Sequence, residues 1–165
     1  MKNSTYSLPA LAIALAFQSY ASAAEPVAQP QLGTRGIAQI QSNGLHFKDL
    51  NRNHHLDPYE DWRLPPAKRA ADLVQRMSLE RKCATMMHGT LAAGGTPMGL
   101  GAQYDLPANE AKIHSGITSF ITRVSAPPRS MAQQSNALQA IAERADLGIP
   151  LTISSDPRNQ IGSRI

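Results

Sequence analysis

Cysteine is almost missing from this chain: Cys83 stands alone among 165 residues, which excludes an intramolecular disulfide, a cysteine-rich zinc site and a CxxC redox pair. A lone cysteine of this kind is expected as a small apolar residue of the interior. Aromatic side chains are few, with three Phe, four Tyr and one Trp. Charged residues amount to 17% against 42% hydrophobic, so neither charge-driven disorder nor a fibrous repeat fits. The formal charge is +4, yet the 16 Lys and Arg are scattered singly, without a basic run or interleaved aromatics. That pattern argues against a nucleic-acid partner. Beyond the first residues no segment offers eighteen apolar positions, so no membrane span is expected once the leader is removed.

What is present begins with that leader. Met1-Lys2 give a positive start, Leu8 to Phe17 an apolar stretch interrupted by Pro9, and Ala21-Ser22-Ala23 the small residues a signal peptidase reads. Residues 1–23 are therefore expected to direct export, to the periplasm or the medium, leaving 24–165. Residues 24–42, punctuated by Pro26, Pro30, Gly33 and Gly36, show no apolar period and are expected as a flexible arm. The folded part is expected over 43–165.

Within it, Ala70, Leu73, Val74 and Met77 recur at helical spacing after Pro65-Pro66, and Ser78 can cap a second helix with Leu79, Cys83, Met86 and Met87 on one face. That sulfur-rich face is expected in the core. The Gly-rich stretch from Gly89 to Gly101 reads as a loop with no phosphate-binding Lys-Ser/Thr after it. Gly116 to Val124 reads as a strand, Leu138, Ile141, Ala142 and Ala145 mark a helix running to Asp146, and Ile149 to Ile153 reads as a strand buried on both faces. Strand, helix and strand in so short a span predict a βαβ unit and a parallel sheet.

One loop has chemistry legible in its spacing. From Asp49 to Glu60, oxygen-bearing side chains fall at positions 1 (Asp49), 3 (Asn51), 5 (Asn53), 9 (Asp57) and 12 (Glu60), with aliphatic Leu56 at position 8. This is the ligand spacing of an EF-hand calcium loop, in which the backbone carbonyl at position 7, here His55, completes the shell. His54 stands at position 6, where glycine normally supplies the positive φ. The alternative is a turn-rich connection that binds no cation. No other cofactor is called for. His54 and His55 are adjacent and lack the i, i+4 spacing of a helical zinc pair, while His46, His88 and His114 have no diagnostic partner. No Gly-x-Ser-x-Gly elbow occurs, and Ser154-Ser155 adjoin Asp156 and no histidine, which disfavours a serine triad.

Four segments taken together, FKDLNRNHHLDPYEDWRLPPAKRAADLVQRMSLERK, ATMMHGTL, ITSFITRV and QQSNALQAIAERADLGIPLTISSDPRN, resemble in order the start of glycoside hydrolase family 3, in particular its secreted bacterial β-glucosidase-like members. The resemblance covers Phe47 to Asn159. It implies an α/β fold, the truncated start of a (β/α)8 barrel with about two βα units preceded by N-terminal helices. It further implies retaining hydrolysis of terminal β-linked glucosyl-type residues, with a β-linked oligosaccharide or glycoside as substrate. The family's nucleophilic Asp and acid/base Glu match no position here, so no catalytic residue is expected in this chain and the chain alone is expected to be inactive. One family position does match: Asp156, whose counterpart holds sugar hydroxyls in the first subsite. Without the family, Asp156 before Pro157 would read as a turn-initiating residue. Arg81 stands where a Glu is common in the family, which leaves Ser78 without a capping-box partner. After Asn159 the tail QIGSRI departs from the pattern, as an early stop, a frameshift or a partial gene model would make it do. The competing function class is a small secreted cation-binding or carbohydrate-binding module centred on residues 49–60.

Overall fold

The computed structural model describes residues 27–94 and 101–155. The first regular structure is a hairpin in which β1 (Gln39–Ser42) pairs antiparallel with β2 (Leu45–Lys48), Ile40 opposite Phe47. Asn43 and Gly44 join the strands with φ of 52° and 76°. Two successive left-handed residues match the twist of the flanking strands, and Asn-Gly is the dipeptide that adopts them most easily. The expectation of a flexible arm up to residue 42 is thus corrected at its end, where residues 39–42 form β1.

Two helices follow. α1 (Pro66–Arg76) opens on proline, whose missing N–H would be unbonded there in any case. α2 (Leu79–Thr85) is capped by Ser78, whose Oγ accepts from the Arg81 backbone N–H at 3.2 Å. Both begin where the sequence places them. The burial expected of α2 does not follow: Leu79 is 71% exposed, Met86 87% and Met87 58%, and Cys83 is exposed too. Helical spacing fixes which face of a helix is apolar; it cannot supply a surface to cover that face.

The remaining elements build a mixed α/β layer. β3 (His88–Thr90), β4 (Ser119–Thr122) and β5 (Thr152–Ser155) form a parallel sheet in that order, with Phe120 aligned to Gly89 on one side and Ile153 on the other. The crossovers are α3 (Leu106–His114) and α4 (Pro128–Arg144). The βαβ unit read from the sequence is β4-α4-β5, with α4 starting at Pro128, well before Leu138. The sheet also has a preceding unit that the sequence reading leaves out, because β3 is three residues long and lies partly in the Gly-rich loop. α3 is likewise unexpected: its two buried residues are Ile113 and the polar Asn109. Asp105 caps it, accepting from Ala108 N–H at 3.0 Å, and Asn109 ties it to the end of β3 by accepting from Ala92 N–H and donating to Ala92 C=O, at 2.8 and 2.9 Å.

The apolar run at 149–153 marks the approach to β5 more than β5 itself. Leu151 is buried, but its backbone N–H and C=O are both taken by the side-chain amide of Gln139, at 3.0 and 2.8 Å, so the ladder starts at Thr152. One face of the sheet packs on α3 and α4 through Leu91, Phe120, Ile113, Leu138 and Ile141. Gly89 is needed there, since a Cβ would sit 2.9 Å from the Phe120 ring. Strand alternation sends His88, Thr90, Ser119, Ile121, Thr152 and Ser154 to the other face, which is mostly polar with Ile121 at its middle.

Candidate functional site

The loop from Asp49 to Glu60 closes into a hydrogen-bonded knot. Asp49, fully buried, accepts from the backbone N–H groups of Asn53 (Oδ1) and His54 (Oδ2), both at 3.1 Å. Glu60, 3% exposed, accepts from Leu50 and Asn51 on Oε1 (2.6 and 3.3 Å) and from Asp57 on Oε2 (3.0 Å). The side-chain amides of Asn51 and Asn53 both donate to Asp57 Oδ2, at 2.6 and 2.8 Å, while Arg76 donates to Asp57 Oδ1 at 2.8 Å. His55 enters through its backbone N–H, which donates to Asn53 Oδ1 at 2.8 Å. The structure links Asp49, Asn51, Asn53, Asp57 and Glu60 through hydrogen bonds within one loop, in which His55 takes part by its N–H and not by the carbonyl that the calcium spacing calls for. Arg52 and His54 take φ of 60° and 62° to let the chain turn around them.

All six carboxylate oxygens of the knot already accept from an N–H donor. Among the described residues, no group of three His, Cys, Asp or Glu side chains is placed to hold a metal ion. What the arrangement does chemically is cap backbone amides that would otherwise be buried without partners.

The charges around the knot are set by burial and by arginines absent from the sequence reading. Burial raises the Glu60 carboxyl above the usual carboxylate range, against the opposing pull of the N–H groups it accepts from. Burial and the adjacent Glu60 charge raise the Tyr59 phenol. Asp61 is held below its ordinary value by Arg63, whose Nε and terminal nitrogen fork onto its two oxygens at 2.8 and 2.7 Å. Asp72 is lowered in the same way by Arg76. Arg63 also lies over the Phe47 ring, which stacks with Trp62 at 5.3 Å. From the other side Glu143, 6% exposed, accepts from Lys48 Nζ at 2.8 Å and from the Arg35 backbone N–H at 2.7 Å, binding hairpin and N-terminal segment to α4. Spacing along one segment carries no signal for such contacts.

At the sheet, His88 Nε2 lies 3.1 Å from Ser154 Oγ, which donates to Phe120 C=O at 3.2 Å. No carboxylate joins them among the described residues, so the pair does not constitute a triad. β4 and β5 run parallel, and β5 ends at Ser155.

No family model matches the chain. Comparison with curated proteins is more informative. The chain is 52% identical over 157 residues, 94% of its length, to the periplasmic β-glucosidase/β-xylosidase of Dickeya chrysanthemi. The chain is therefore similar in sequence to a glycosidase over most of its length. A second relative is β-glucosidase C of Emericella nidulans, 28% identical over 119 residues and 71% of the chain. The chain spans 24% of the first relative's length and 19% of the second's. The family position Asp156 follows β5 directly in sequence and lies outside the described residues, as do the leader over 1–23 and the tail after Asn159.

The arginine-paired carboxylates give a pH prediction. Asp61 and Asp72 have lower pKa values folded than unfolded, so they contribute stability above the ordinary aspartate value that is lost as pH falls through the folded value. Glu60, shifted upward, acts in the opposite sense and makes folding slightly more favourable on mild acidification. Melting temperatures measured from pH 7 downward should stay level or rise slightly first, then drop below the aspartate range. Asp61→Asn should flatten that acid limb; an unchanged limb would show that the Arg63 fork does not contribute to stability.

Proposed function

We propose that this chain is part of an exported glycoside hydrolase that removes terminal β-linked glucosyl-type residues with retention, and that residues 43–165 supply the opening of its (β/α)8-type barrel. The observation that carries this reading is the 52% identity across 94% of the chain to a periplasmic β-glucosidase/β-xylosidase. The parallel order β3-β4-β5, with helical crossovers packed on one face, is consistent with a barrel segment whose other face turns inward. Residues 1–23 act as the leader, residues 24–42 precede the barrel, and the periplasm is the destination.

In such a barrel the reacting sugar sits at the C-terminal ends of the strands. Asp156, immediately after β5, would there accept two sugar O–H groups on one carboxylate, each bond strengthened by the charge. Retention requires a carboxylate nucleophile and a carboxyl acid/base about 5–5.5 Å apart. In this reading both come from stretches other than those matched by Phe47 to Asn159.

A hybrid tests it. Residues 43–159 replace the matching segment of the Dickeya chrysanthemi relative, and hydrolysis of aryl β-glucoside and aryl β-xyloside is measured. The hybrid should turn over; the 165-residue chain alone should not exceed a mock purification. Asp156→Ala in the hybrid should lower kcat/KM by roughly a hundredfold or more, the scale of two lost charge-assisted hydrogen bonds. A folded hybrid without turnover, or one indifferent to Asp156→Ala, would overturn the proposal.

A further inference from the structure

At the end of the sheet where β5 begins, opposite the end that Asp156 follows, lies a cavity of about 280 Å³ bounded by Leu32, Lys48, Leu50, Trp62, Arg69 and Pro150. Its walls combine an aromatic ring and aliphatic side chains with a few charged groups, the mixture typical of small-molecule sites. Arg35, Glu60, Gln139 and Glu143 also border it. The acceptors among them are already committed: Glu60 to three backbone N–H groups, Glu143 to Arg35 N–H and Lys48 Nζ, and Gln139 to both polar groups of the Leu151 backbone.

The donors are not. Arg69 uses only its Nε, on Tyr59 C=O at 3.1 Å, and among the described residues its two terminal nitrogens have no hydrogen-bond partner. Lys48 directs one bond to Glu143 and keeps two N–H groups. The lining holds three cations, Arg35, Lys48 and Arg69, against two carboxylates, and the Asp61 charge outside it also acts on Arg69. A guanidinium fork beside apolar walls recognises a carboxylate on a compact body. The volume lies just under the roughly 300–1,000 Å³ of drug-sized sites, room for about one ring.

We propose that this cavity binds a small sugar acid, a single pyranose bearing a carboxylate, with the carboxylate on Arg69 and the ring between Trp62 and the aliphatic walls. Trp62 is held ready for that role by its stack on Phe47 and by its Nε1 donating to His46 C=O at 3.0 Å. The site does not depend on the hydrolytic reading, since it lies at the other end of the strands.

Trp62 is the chain's single tryptophan, so its fluorescence reports on the cavity directly. The full chain is titrated with D-glucuronate, D-glucose and acetate. Glucuronate should give a saturable change, with glucose and acetate at least tenfold weaker. Arg69→Gln should abolish the glucuronate response and Arg69→Lys, which keeps the charge but loses the fork, should weaken it about tenfold. Arg35→Gln, at an exposed position, should weaken it severalfold with the far-UV spectrum unchanged. Should Arg69→Gln fail to fold, the Arg69→Lys and Arg35→Gln titrations decide. Absence of a saturable glucuronate response, an equal response to glucose or acetate, or undiminished affinity in every folded variant would overturn the proposal.

Discussion

Truncating Phe120 to alanine is expected to lower the stability of the chain by about 3–5 kcal/mol, the usual range for removing a buried phenylalanine. Phe120 is fully buried at the centre of the sheet, in register with Gly89 and Ile153 and in one cluster with Leu91, Leu138 and Ile141. Gly89 leaves no Cβ to move into the space, so the cavity cannot collapse from that side. Denaturant unfolding should show a lower midpoint with an unchanged slope. Met86→Ala is the companion measurement: at 87% exposure it should change stability by less than about 0.5 kcal/mol. A loss below about 1 kcal/mol at Phe120 would mean that the core is not centred there.

The second large effect is expected at Glu60. Removing its carboxylate leaves the N–H groups of Leu50, Asn51 and Asp57 without their acceptor in a half-buried turn. Hydrogen bonds to a charged group contribute about 1.5–3 kcal/mol each, but the raised Glu60 pKa signals that burial opposes part of that gain. Glu60→Ala should therefore cost about 2–4 kcal/mol in all. Glu60→Gln should fall between, because one amide oxygen can still accept from Leu50 and Asn51 while the NH₂ group meets the Asp57 N–H donor to donor. Amide hydrogen exchange gives the local readout: Leu50, Asn51 and Asp57 should lose protection in Glu60→Ala ahead of the β4 amides. Uniform loss across the chain would assign the effect to global unfolding and remove the special role of the turn.

The knot also shows how far spacing can be read. Alternate oxygens from Asp49 to Glu60 predict that those side chains converge, and hydrogen bonds within the loop link them. The spacing leaves their occupant open between a cation and the loop's own amides. Asp57 Oδ1 is taken by Arg76 of α1, and the loop is fastened to α4 by Arg52 donating to Arg144 C=O at 2.7 Å. Neither partner lies within the twelve-residue pattern. The hairpin had a local signal, Asn43-Gly44, inside a stretch whose Gly and Pro content reads as an arm. β3 and α3 had weaker signals, since three residues cannot show a strand period and α3 buries a polar Asn109 alongside Ile113.

By itself the sequence determined the local, short-range features: the proline start of α1, the Ser78 cap, the parallel pairing implied by strand, helix and strand, and the likeness to known β-glucosidases. These depend on backbone sterics and on residues a few positions apart, which a linear pattern records directly. Tertiary structure alone decided which apolar faces are covered and which charges meet. Leu138 and Ile141 of α4 are buried because the sheet lies against them, whereas Leu79, Met86 and Met87, with the same kind of periodicity, face outward. The Lys48–Glu143 and Arg76–Asp57 pairs join residues far apart in the chain. Burial and ion pairing are relations between elements, set by where the backbone brings them, and no pattern within one element encodes its partner.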